Sequence, residues 1–145
     1  MEQVMADARV ASRECREAVL TKPDYVELKT KLFMSLDTSE IPSQYLTDRS
    51  FPTKKQTADL FRLYGDLQAC RKIMLDRVST WHPFVIANMV ELFVSTDKTR
   101  IEGISGKLSW GQYHQTMQDL VAQNKLRLTE DARTAANTRA TATCI

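Results

Sequence analysis

The sequence predicts an all-α fold, an antiparallel bundle of about five helices with an elongated outline. Three observations carry that reading. Only four Gly and four Pro punctuate 145 residues, too few for a sandwich or barrel built on many tight turns. Apolar residues recur at steps of three and four over long stretches, the period of a packed helix face. Two of those stretches open on a capping-box signature, Thr53 with Gln56 and Ser109 with Gln112. Apolar residues at 43% and charged residues at 26% are ordinary for a globular chain, and the length suits one domain. We expect that domain to cover residues 1–137, with 138–145 a flexible tail.

Each element has its own justification. From Glu2 to Leu20, Val4, Ala8, Ala11, Cys15 and Ala18 trace a seam of small residues that lets a partner backbone approach. Thr21 can cap a second helix, with Pro23 in its first turn and Asp24 at N3, running to about Met34. Ser35 to Pro52 is connector chemistry, short polar residues and two prolines, pinned over the core by Ile41, Tyr45, Leu46 and Phe51. Thr53 opens the third helix, whose Leu60, Leu63, Leu67, Cys70 and Met74 repeat without a proline before Pro83. Through Ser79 it would measure about 40 Å, and Gly65 weakens it by roughly 1 kcal/mol without breaking it.

Trp81-His82-Pro83 marks a junction, because the residue before proline avoids the helical region. A fourth helix follows to about Glu102, ended by Gly103 and Gly106. Ser109 opens a fifth, with Trp110, Tyr113, Met117, Leu120 and Leu128 on one face and Asn124 there to fix register.

The chemistry is read mostly by exclusion. A net charge of +2 argues against nucleic acid or an anionic membrane as partner. The longest apolar stretch, Phe84 to Val94, is well short of the roughly 20 residues of a transmembrane helix. His82 and His114 lie far apart and no Cys-x-x-Cys occurs, so no metal site is expected. No phosphate-cradling glycine loop is present and no cofactor is expected. Carboxylates such as Glu14, Glu17, Glu130 and Asp131 fall on helix surfaces, so no catalytic residue is assigned. Met1 to Arg9 lacks a signal-peptide pattern, which suits a mature exported domain or a cytoplasmic protein alike.

Two features stand above this background. Cys15 and Cys70 each fall on the seam of their own helix, so they are either crosslinked or two buried thiols acting as small hydrophobes. A crosslink would close a 55-residue loop and add about 4 kcal/mol. The stretch Phe84 to Val94 is either a central bundle helix or a partly exposed contact face, with Trp81, Phe84, Met89 and Phe93 as anchors.

The segment Ile104-Ser105-Gly106-Lys107-Leu108-Ser109-Trp110-Gly111-Gln112-Tyr113-His114-Gln115 resembles a phrase in small exported bacterial all-helical proteins, periplasmic proteins and lipoproteins among them. There a connector of the form Gly-Lys-Ile-Thr/Ser-x-Gly-Glu/Gln-aromatic enters a final charged helix. An early cysteine and a second in an Ala-Cys-Arg setting also occur, here Cys15 and Ala69-Cys70-Arg71. The resemblance implies export, periplasmic or secreted, and a Cys15–Cys70 disulfide; it implies no activity.

The expected function is therefore non-catalytic: an exported helical binding or scaffolding domain that meets a protein partner or a second copy of itself. One alternative is a bundle that senses or carries a small apolar ligand near Trp81 and Phe84. Another is a cytoplasmic thiol-dependent enzyme or redox protein centred on Cys15 or Cys70.

Overall fold

Thr53 and Gln56 satisfy each other as the capping box requires. The Thr53 hydroxyl accepts from Gln56 N–H at 3.1 Å, and the Gln56 side chain accepts from Thr53 N–H at 2.9 Å. In the computed structural model, which describes residues 2–34, 41–80 and 83–143, this cap opens α3 (Lys54–Val78). Leu60, Leu63, Leu67 and Cys70 are buried along one face, while Gly65 lies on the exposed side.

Against that face packs α1 (Glu2–Leu20), through buried Ala8 and Ser12 and half-buried Cys15 and Val19. The seam is turned relative to the sequence expectation, because Ala18 is exposed and Ser12 is inside. Small residues fit either side of a helix; the larger Val19 decides which side faces the core. Cys15 and Cys70 are joined in a disulfide, with their Cα atoms 5.6 Å apart.

The second helix expected up to Met34 does not form. Two 3₁₀ turns take its place, Pro23–Tyr25 and Leu28–Thr30. The Thr21 hydroxyl donates back to the Ala18 carbonyl at 2.7 Å instead of capping forward. Tertiary anchors then hold the segment: Tyr25 and Leu28 are buried, and the Tyr25 hydroxyl donates to Asp66 at 2.6 Å. In the connector, Ile41 is buried and Tyr45 and Leu46 are half-buried on a single turn, α2 (Ser43–Leu46). Phe51, expected to pin the connector, is 55% exposed. Residues 35–40 lie outside the described residues.

The rest is a hairpin of α4 (Pro83–Ile104) and α5 (Trp110–Thr143). Gly106 ends α4 with a φ of 75°, and Lys107 N–H reaches back to the Glu102 carbonyl at 3.0 Å, a left-handed glycine stop. Gly103 lies inside α4, where a Cβ would meet the Tyr113 ring at 3.1 Å. Asn124 fixes the pairing as its position suggests, donating to the Asn88 carbonyl at 2.9 Å. α5 spans 34 residues, about 51 Å, and stays helical beyond residue 137 to Thr143. The fold is all-α, with no strand among the described residues, and its core joins α3, the 3₁₀ turns and the first turn of α5.

Candidate functional site

The start of α5 is where the segment Ile104–Gln115 does its structural work. Ser109 and Gln112 form the second capping box, at 3.2 and 2.9 Å. The connector supplies carbonyls to the first N–H groups of the helix: Trp110 N–H to Ser50 at 2.9 Å and Gly111 N–H to Asp48 at 2.7 Å. Gly111 is required there, because a Cβ would stand 2.5 Å from the Leu46 carbonyl oxygen and 2.8 Å from that of Asp48.

His114, one turn on, is 1% exposed and fully engaged. Its Nδ1 lies 2.7 Å from the Trp110 carbonyl, and its Nε2 accepts from Phe33 N–H at 3.0 Å. The ring is therefore the neutral Nδ1–H tautomer, and burial holds its pKa below the ordinary value. Asp48, bonded by Ser50 and Lys31, is held at a pKa of about 2. These groups clamp the connector onto α5, and neither ring nitrogen of His114 is left to act on a substrate.

The residues expected as contact anchors are dispersed. Trp81 lies outside the described residues, as do His82 and Cys144. Phe84 is half-buried and borders an open cleft of about 390 Å³ between α4 and α5, lined also by Asn88, Glu91, Arg127 and Asp131. Met89 is half-buried, and Phe93 lies under the Arg71 guanidinium, 4.6 Å from ring centroid to Cζ.

The exposed apolar groups of α4 are different ones. Val90 is 45% exposed, Val94 63% and Ile101 66%, and Ala87 is exposed beside them. At 100° per residue these four fall within one narrow sector. Directly opposite lie the buried Val85, Asn88, Thr96, Thr99 and Gly103. Val85 apart, the helix thus turns polar and small residues inward and branched aliphatics outward, the reverse of an ordinary surface helix. The signal that could have found it is a second seam, 87–90–94–101, running beside the inward one.

The inward donors find partners suited to that reversal, while the buried Asn88 Oδ1 accepts none. Asn88 Nδ2 donates to the Phe84 carbonyl and to Asp131, and the Thr96 and Thr99 hydroxyls bond to the Phe93 and Ser95 carbonyls of their own helix. Glu91 pairs with Arg127 across the hairpin. Among the described residues, no group of three His, Cys, Asp or Glu is placed to hold a metal, and no helix is long and apolar enough to cross a membrane. With the disulfide formed, neither Cys15 nor Cys70 offers a thiolate.

Comparison with protein-family models, curated proteins and solved structures finds no match to the chain.

Proposed function

We propose that this chain is a non-catalytic helical binding or scaffolding domain of an oxidising compartment, periplasmic or secreted, that associates with a second copy of itself through the outward face of α4. The observation that carries the reading is the inverted helix: Val90, Val94 and Ile101 lie outside while Asn88, Thr96 and Thr99 are inside. Exposed branched aliphatics in one stripe are costly in water and are commonly covered by a partner. The 3–4 spacing of that stripe suits a helix as the covering surface.

Charge favours a second copy as that helix. Glu91 and Lys98 are exposed on the same flank of the stripe, two turns apart. In an antiparallel, twofold self-pairing centred between them, Glu91 stands opposite Lys98 of the partner subunit, and the reciprocal pair forms by symmetry. Asp97, on the other flank, is held by two cations of its own chain, Arg71 and Arg100, whereas Glu91 meets one, Arg127, and with its side chain 54% exposed can take a second. The Cys15–Cys70 disulfide supports the compartment, since such bonds persist where thiols are not kept reduced.

Sedimentation equilibrium at low and high concentration tests the reading. The wild-type chain should dimerise as concentration rises. Val94→Asp should stay monomeric with its unfolding free energy within about 0.5 kcal/mol of wild type, as for an exposed position. A wild-type chain that remains monomeric throughout overturns the self-association.

A second reading, a carrier or sensor of a small apolar molecule, is favoured by a recess of about 330 Å³ bordered by Leu20, Tyr25, Leu28, Leu32, Phe33 and Leu63. It lies away from Phe84. Saturable shifts of the Leu28, Leu32 and Leu63 methyl resonances on adding a small hydrocarbon would support it, and their absence would remove it.

A further inference from the structure

The cleft of about 390 Å³ between α4 and α5 contains an acceptor that its own walls leave unmet. Among the residues that line it, only Asn88 is buried, at 4% exposure. Both N–H groups of the Asn88 carboxamide are taken, one by the Phe84 carbonyl at 2.8 Å and one by Asp131 Oδ2 at 2.7 Å. Those two bonds fix how the amide is turned, because exchanging its nitrogen and oxygen would set the oxygen against two acceptors. Oδ1 is therefore the open position, buried and without a donor among the described residues. Its neighbours in the cleft do not supply one: the side chains of Phe84, Ala87 and Ala135 carry no donor, and Arg127 is engaged with Glu91.

The charge around that acceptor is negative. Glu91 and Asp131 line the cleft against one cation, Arg127, and Arg127 pairs with Glu91. Asp131 is bonded there by the neutral Asn88 amide. A buried acceptor without a donor is costly, and a cation bearing N–H groups meets it while offsetting the surplus charge. A bare metal ion does not suit the cleft, since no three His, Cys, Asp or Glu converge among the described residues. A primary ammonium does, being compact and having three rotatable donors where a guanidinium is a rigid planar fork.

We propose that this cleft binds a primary ammonium group carried on a short alkyl chain, which donates to Asn88 Oδ1 and to Asp131 while its methylenes lie along Phe84 and Ala135. The site stands apart from the self-association, because Asn88 and Asp131 meet across the hairpin and lie outside the aliphatic stripe of α4.

The test uses the intact oxidised chain. Butylammonium chloride is titrated in parallel with tetramethylammonium chloride, which carries the same charge but no N–H, at matched ionic strength. The expected result is a saturable shift of the Asn88 side-chain amide resonances with butylammonium and none with tetramethylammonium. Asp131→Asn, which keeps an acceptor for Asn88 Nδ2, should weaken butylammonium binding by roughly tenfold or more. Glu130→Gln removes the same charge from an exposed neighbour outside the cleft and should change the affinity by less than about twofold. A third titration, with Nα-acetyl-lysine methylamide, separates the sources: affinity equal to that of butylammonium assigns a lysine side chain, and a large loss assigns a free amine. Equal responses to butylammonium and tetramethylammonium in the wild-type chain overturn the site whether or not the variants fold. So does an Asp131→Asn chain that binds butylammonium as tightly as wild type.

Discussion

His114 shows how a single ring can hold two distant segments, since one nitrogen faces the Trp110 carbonyl and the other the backbone N–H of Phe33. Protonation would turn Nε2 from an acceptor into a donor aimed at another donor. The folded state therefore prefers the neutral ring, and its pKa lies below the 6.5 of the free group. Between those two values the unfolded chain binds more protons, so stability is fully present above about pH 6.5 and falls as the pH drops through the folded value. Asp48 adds a second, lower window. Its stabilisation is complete above 3.8 and is lost as the pH falls through about 2. Thermal midpoints measured across this range should decline in two steps, and His114→Gln should abolish the upper step alone. Gly111 is the other residue on which the clamp depends. Gly111→Ala would drive a methyl group into the Leu46 and Asp48 carbonyls, and urea unfolding should record a loss of about 1–3 kcal/mol. An equal-size substitution at exposed Gly65, which meets no atom within 4 Å, should do no such harm.

At the level of whole elements, α3 rests on its cap. Thr53→Ala removes the hydroxyl that accepts Gln56 N–H and should cost about 1 kcal/mol in denaturant unfolding. α3 was legible in the sequence almost residue for residue, because its determinants are local: a cap, an unbroken 3–4 repeat and no proline. The same holds for the Ser109 cap and for Asn124. The turns after α1 were not legible, since Pro23 and Asp24 suit a helix start as well as a 3₁₀ turn. What decides between them is remote, the bond from Tyr25 to Asp66. α4 was legible as a helix but not in its orientation. A run with apolar residues at nine positions of eleven has no preferred side, so Phe84, Met89 and Phe93 stood out by size while Val90 and Val94 carry the exposure.

Across the whole molecule, stability is unevenly distributed. α1 and α3 are bonded to each other through Cys15 and Cys70, whereas the α4–α5 hairpin is held by packing, by Asn88 and Asn124, and by the Glu91–Arg127 pair. Reducing the disulfide should lower the unfolding free energy by about 4 kcal/mol, the closure entropy of a 55-residue loop. Denaturant unfolding with and without reductant measures the difference directly. Thiol titration of the unfolded, unreduced chain should meanwhile find a single reactive sulfur, Cys144, out of three cysteines.

The same bond sets how far the chain can be stretched. Force applied at its two ends passes from Cys15 straight into Cys70, so the 3₁₀ turns, the connector and most of α3 are bypassed and never bear tension. An oxidised molecule pulled in an optical trap should thus extend about 190 Å less than a reduced one, at roughly 3.4 Å for each bypassed residue.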